Sequence, residues 1–341
     1  MEILHPTEDN LRRAGETLAR GGLVAFPTET VYGLGADAFD ARAVARVFEA
    51  KARPSFDPLI VHVASVEGAA KVAEVSSAKA RALMKTLWPG PLTLVMPKLA
   101  DIPDIVTSGL DTVAVRLPAH PVARAIIAYS GTAVAAPSAN PFGRLSPTRA
   151  EHVARGLGDK VDLIVDGGPC AVGVESTVLD MTVDPPRILR PGGTPAETIE
   201  SVIGPVFRGP EPKPAAGDEG DGESGSPKAA ASPGLLENHY APRTPLRLVE
   251  AGGMAGAQPR GRAAALILSP ASRTDFAAIE ERFELARYLS PTGDLVEAAA
   301  GLFAALHELD ARGFDEIWAE RAPDGGLGPA INDRLYKAST K

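Results

Sequence analysis

Only one cysteine, Cys170, occurs in the 341 residues, so no intrachain disulfide can form and no zinc site built on several cysteines is available. So low a thiol count fits a reducing compartment, and a cytoplasmic location is expected. Histidine is also sparse: His5, His62, His120, His152, His239 and His307 are scattered without metal-ligand spacing, and no protein-held metal is expected. Long hydrophobic runs are missing. The longest apolar stretches, such as residues 263–268, fall far short of the roughly 20 residues a membrane helix needs. The N-terminal stretch carries Glu2, Glu8, Asp9, Arg12 and Arg13 in place of an apolar signal segment, so neither secretion nor membrane contact is expected. Aromatic residues make up 5%, and there is no basic excess: the net charge is −8, with 20 basic against 23 acidic groups over residues 1–207 and 15 against 20 over residues 208–341. That balance is unlike a dedicated nucleic-acid binder and leaves at most a weak RNA contact through a local groove.

What is present describes a folded chain of two domains. Hydrophobic residues at 45% and charged residues at 23% are near globular averages, and the length exceeds what one core usually serves. Residues 208–234 hold no aliphatic side chain larger than alanine and no aromatic, but many Gly, Pro, Ser and acidic groups. Such a segment cannot bury enough apolar surface to offset its ordering entropy and reads as a flexible linker. The expected division is a domain over 1–207, a linker ending in an HYAP segment over 208–245, and a second domain over 246–341.

On each side of the linker, short apolar runs alternate with stretches of helical period, the pattern of an α/β fold. In the first domain, strands are expected at residues 23–26, 59–63, 92–97, 112–117, 132–136, 163–165 and 176–180. A helix over 41–50 would place Val44, Val47 and Phe48 on one face. In the second, strands are expected at 246–249, 264–268 and 316–319, with an amphipathic helix over 294–312.

Several segments put polar groups at predicted strand ends, where α/β folds bind ligands. PTETVYGLG (27–35) offers hydroxyls, a glutamate and glycines after the first strand, although a glycine-containing turn is often only a connector. KARPSFDPLIVH (51–62) sets Lys51 and Arg53 two residues apart as the chain leaves a helix. They either complement the negative helix C-terminus or clamp a phosphate. His62 stands in an apolar run as either a satisfied core histidine or a ligand. TVAVRLP (112–118), APSANPFGRLSPT (136–148), GVESTV (173–178) and ILRPGG (188–193) add Arg116, Ser138, Asn140, Ser176 and Arg190, each of which also reads as an ordinary turn, cap or surface residue. No nucleophile and base stand paired, Ser138 lacks a nucleophile-elbow context, and neither a P-loop nor a dinucleotide glycine fingerprint occurs.

In this order PTETVYGLG, the K-x-R-P stretch, WPGPLTLV (88–95), TVAVRLP, APSAN, ESTV and LRPG resemble the YrdC-like family of threonylcarbamoyl-AMP synthases, over nearly all of residues 20–195. SPGLLENHYAP (232–242) is similar to the element that precedes an extra C-terminal domain in that family's long members. The resemblance implies a YrdC-like twisted mixed sheet with flanking helices, joined to a smaller Rossmann-like α/β domain. It implies an enzyme that condenses L-threonine, bicarbonate and ATP, with Mg²⁺ on the ATP, into threonylcarbamoyl-AMP and pyrophosphate. A tRNA threonylcarbamoyl transferase would receive the product. Other readings are a domain of a carbamoyl-transferring maturation factor, whose usual cysteine zinc modules are missing, and an RNA-binding module.

Carried over residue by residue, the resemblance places L-threonine against Thr30, His62, Arg116, the Ala136 backbone and Ser176. It places ATP against Lys51, Arg53, Asp57, Thr112, Ser138, Ser146 and Arg190, with Asn140 beside it and His239 and Tyr240 closing over the site. Lys51, Arg53, Ser138 and Asn140 are the catalytic candidates, and Arg53 is expected at the phosphates and not in the core. Asp57 departs from the Asn or His of many members. It is an acceptor without a donor, which argues against a direct phosphate contact there.

Overall fold

The computed structural model describes residues 1–209, 240–270 and 276–340. Most of the expected linker and His239 lie outside the described residues. Eleven strands form the first sheet: β1 (Glu2–Leu4), β2 (Val24–Phe26), β3 (Gly33–Asp37), β4 (Ile60–His62), β5 (Leu92–Pro97), β6 (Thr112–Arg116), β7 (Val134–Ala135), β8 (Leu163–Val165), β9 (Thr177–Asp180), β10 (Arg187–Arg190) and β11 (Phe207–Arg208). Their order across the sheet is β1-β8-β2-β3-β7-β4-β6-β5-β9-β10-β11, with parallel and antiparallel neighbours mixed. The expected mixed sheet with flanking helices is what the chain adopts.

Strands β2, β4 and β8 are buried at every position, so they read as continuous apolar runs and not as alternating ones. The helix Ala41–Lys51 buries Val44, Val47 and Phe48, one side of a 3.6-residue period. Asp40 caps its start by accepting from the Arg42 and Ala43 amides. It ends where Ala52 turns left-handed at φ 51°, ahead of Pro54. Strand β3 was not anticipated, because its sequence GLGAD is rich in glycine. One glycine there has a steric reason: a Cβ on Gly35 would stand 2.7 Å from Phe26 Cε1 and 2.8 Å from Val134 Cγ1.

Four parallel strands form the second sheet, in the order β12 (Leu246–Val249), β15 (Glu316–Glu320), β13 (Ala263–Ile267), β14 (Leu285–Tyr288). Helices Leu295–Ala311 and Gly328–Ser339 pack with it, giving the expected smaller α/β unit. The two parts of the chain share apolar packing through loops of the first and the helix Leu295–Ala311 of the second. Val31, Leu145 and Val174 join Tyr240, Leu302, Phe303 and Leu306 in one buried cluster. Among the described residues no helix is long and apolar enough to cross a membrane.

Candidate functional site

A cleft opens where the turn after β2, the C-terminal ends of β4 and β6, the segment after β7 and the approach to β9 converge. Thr28, Thr30, Arg53, His62, Arg116, Ala136, Ser138, Glu175, Ser176, Arg190 and Tyr240 line it. The turn after β2 is tied by the Thr28 hydroxyl, which donates to the Val31 carbonyl at 2.6 Å and accepts from the Thr30 and Val31 amides at 3.2 Å. A threonine side chain substituting for a backbone partner in this way fixes a tight turn. Thr30 is thereby aimed at Arg116, whose Nη1 donates to its hydroxyl at 2.9 Å.

Arg116 ends β6 and is buried between three partners: Thr30, the Gly90 carbonyl at 3.2 Å and the Glu29 carboxylate at 2.7 Å. The Glu29 contact is an ion pair off the angle of a good hydrogen bond. Burial works against the Glu29 carboxylate, but the facing Arg116 charge outweighs it and holds the carboxyl below its usual range. His62 ends β4, and its Nδ1 has no hydrogen-bond partner among the described residues. Burial first, then the Arg116 charge, pushes its imidazole down to about 3, so it is neutral at pH 7. The Ser176 hydroxyl lies 2.7 Å from that of Thr93, and Arg190 Nη2 donates to the Ser176 carbonyl at 3.0 Å and hydroxyl at 3.3 Å. The Ala136 amide is used by the Ile60 carbonyl at 2.9 Å.

The two cations of the K-x-R-P stretch divide. Arg53 lines the cleft while bonded to the Asp57 and Pro58 carbonyls and ion-paired with the Asp57 carboxylate at 2.9 Å. It is therefore also a core residue, contrary to expectation, because Asp57 is fully buried and stands beside it. Lys51 is not among the lining residues. Its ammonium crosses from the helix end to the Ser138 and Asn140 carbonyls, bracing the loop behind the cleft. Burial, with Arg53 adding repulsion, drives its pKa well down.

Four other ATP or catalytic candidates stand back from the cleft. Asp57 is the partner of Arg53 and not a lining group. Thr112 is at the start of β6, paired with Pro97, about 13 Å along the strand from Arg116 at ~3.3 Å per residue. Asn140 donates to the Pro141 and Arg144 carbonyls, and Ser146 donates to Glu175. Both shape the loop of residues 138–146. Tyr240 does reach the cleft, held at φ 63° with its ring 5.7 Å from that of Phe303.

Comparison with known proteins bears on this geometry. A family model described as "Telomere recombination", for the Sua5, YciO and YrdC proteins, matches residues 16–192. A second, described as the C-terminal domain of threonylcarbamoyl-AMP synthase, matches residues 194–340. The threonylcarbamoyl-AMP synthase of Pyrococcus abyssi is 44% identical over 97% of this chain and 94% of its own length. The chain belongs to the threonylcarbamoyl-AMP synthase family. A second member, from Bacillus subtilis, is 41% identical over 98% of this chain and 94% of its own. The solved structure of P. abyssi Sua5 complexed with L-threonine matches with a TM-score of 0.84 at 41% identity, covering 99% of this chain and 98% of that one.

Within this family frame, the sequence reading left Glu29, Glu175 and Arg334 without a role. The first two stand inside PTETVYGLG and GVESTV, so the motifs were legible but not their buried partners. Arg334 sits in INDRLYK on the last helix, where nothing local distinguishes it from a surface arginine.

Proposed function

We propose that this protein is an L-threonylcarbamoyladenylate synthase, a nucleotidyltransferase that condenses L-threonine, bicarbonate and ATP into threonylcarbamoyl-AMP and pyrophosphate. One observation carries the reading. Thr30, His62, Arg116 and Ser176 converge with Arg53 and Arg190 on a single cleft, in a chain 41% identical to a protein solved with L-threonine.

Arg116 and Ser176 are suited to the threonine carboxylate, and Thr30 with neutral His62 to its hydroxyl or the carbamate. The threonine amine attacks the bicarbonate carbon and water leaves. A carbamate oxygen then attacks the α-phosphorus, and pyrophosphate departs with the bonding electron pair. Such a sequence asks for alignment and charge neutralisation and needs no protein nucleophile. Arg53 and Arg190 supply guanidinium donors to the phosphates and leaving group. Lys51 acts through the Ser138–Asn140 loop that it braces.

The site's carboxylates do not fit a cation cage: Glu29, Asp57 and Glu175 each face an arginine, and no metal-ligating cluster occurs among the described residues. Mg²⁺ would enter on the triphosphate, held by phosphate oxygens, and there supply charge neutralisation. The adenylate would pass to a tRNA threonylcarbamoyl transferase in the cytoplasm.

Incubation with ATP, Mg²⁺, L-threonine and bicarbonate tests the reading, with pyrophosphate and the adduct followed together. Pyrophosphate release should require threonine and bicarbonate at once. Equal release with L-serine, or with either substrate omitted, overturns it.

A further inference from the structure

Arg334, on the helix Gly328–Ser339 of the C-terminal domain, is 0% exposed and is the bulkiest fully buried side chain described. Its contacts lie largely outside its own domain. Nε donates to Glu175 Oε2 at 2.7 Å, and Nη1 donates to the Pro191 carbonyl at 2.8 Å and to Asp333 Oδ2 at 2.7 Å. The guanidinium carbon stands 5.2 Å from the centroid of the Tyr240 ring, at cation–π distance.

Asp333 neighbours Arg334 on its own helix, and each of the other partners adjoins or forms the cleft wall. Glu175 precedes Ser176 and Pro191 follows Arg190, the two residues that bond to each other across β9 and β10. The other oxygen of Glu175 accepts from Ser146, at the end of the loop that Lys51 braces. Tyr240 lines the cleft itself. The backbones meet closely here: the Gly193 amide donates to the Glu175 carbonyl at 2.9 Å. One guanidinium thus ties three separate pieces of the wall to a fourth element in the other domain.

A buried ion pair is a weak source of stability, since desolvation cancels much of its attraction. A planar fork with fixed donor directions does set where its partners sit. We propose that Arg334 is a positioning residue for the reaction: it holds Glu175–Ser176, Arg190–Pro191 and Tyr240 in register, so that the C-terminal domain completes the substrate cleft without touching substrate. This rests on the reading of the cleft as the L-threonine and ATP site.

The test uses the full chain with Arg334→Met, which keeps volume and removes the fork, and Arg334→Lys, which keeps charge without the fork. Because Arg334→Met alone leaves Glu175 buried without its cation, the pair Arg334→Met with Glu175→Gln is the variant better able to fold. Arg262→Met, which removes an exposed arginine paired with Glu284, is the control expected to match wild type.

For the folded variants, KM for both L-threonine and ATP should rise about tenfold or more, since ångström-scale misplacement at a site costs up to about 10²-fold. Arg334→Lys should recover only part of the loss. A purely structural role would lower the active fraction, and with it the apparent kcat, leaving both KM values unchanged. Unchanged KM values in the folded variants overturn the proposal. If the wild-type protein releases no pyrophosphate from these substrates, it is the function assigned to the cleft that fails.

Discussion

The Arg116 guanidinium stands 2.7 Å from the buried Glu29 carboxylate while donating to the Thr30 hydroxyl at 2.9 Å, so one side chain organises the charge and the hydroxyl on one side of the cleft. A lysine cannot hold Glu29, Thr30 and the Gly90 carbonyl at once, because its ammonium is a single point and not a fork. Arg116→Lys should raise the L-threonine KM about tenfold, the scale of a lost charged contact, and leave the ATP KM near wild type. Steady-state pyrophosphate release at saturating bicarbonate reads both. An equal rise in the two values would remove Arg116 from the threonine subsite.

Arg53→Ala should lower kcat by about 10²-fold or more as a lost transition-state contact. It should also destabilise the protein by about 3–5 kcal/mol, because it takes the cation from beside buried Asp57. Arg53→Met with Asp57→Asn separates the two effects. That double variant should melt closer to wild type than Arg53→Ala and stay inactive. Recovery of turnover along with stability would show that Arg53 serves the fold alone.

Acid should weaken the fold through three histidines. Burial holds His62 and His152 at about 3 and His307 at about 4, against an ordinary value of 6.5. With the folded pKa depressed, the unfolded chain binds more protons below pH 6.5. Their contribution is therefore complete above that value and is lost as pH falls toward 4 and then 3. At pH 5 the loss is roughly 1–2 kcal/mol per histidine. The rings of His152 and His307 stack at 3.9 Å, and His307 Nε2 donates to the Ser146 carbonyl at 3.1 Å, tying the helix Leu295–Ala311 to the first domain. Urea midpoints at pH 7.5 and 5.0 should differ clearly in wild type and less in a variant carrying His152→Gln and His307→Gln. An equal shift in both would exclude the pair.

Gly192→Ala should disable the site. A Cβ there would stand 2.3 Å from the Ser176 carbonyl carbon and 2.4 Å from both the Glu175 oxygen and the Thr177 nitrogen, all backbone atoms with no rotamer to escape into. A cost of about 1–3 kcal/mol is expected, with the Ser176 wall displaced. Melting temperature and L-threonine KM should both change; a variant with wild-type values would mean that the turn shifts freely.

Local chemistry carried much of this architecture in the sequence. Apolar stretches at 92–97 and 163–165 coincide with β5 and β8, because a buried strand needs little more than a short apolar stretch between turn formers. Strands β1, β3, β10, β11 and β14 have no counterpart among the expected strand ranges. Strand β3 is built on glycines, and the other four, two to four residues each, are too short or too mixed for a period to show.

The ordered motifs marked which segments meet, since Thr30, Arg53, His62, Arg116, Ser138, Ser176 and Arg190 all border one cleft. Tertiary structure alone decided how each is used. Thr112 and Arg116 belong to one motif, yet an extended strand carries them to opposite ends. Lys51 and Arg53 are two residues apart, yet the left-handed residue between them sends one to the loop carbonyls and the other to the cleft. Arg334 reaches Glu175 across 159 residues of chain. No period or spacing encodes such a contact, because it exists only once two independently patterned domains have packed together.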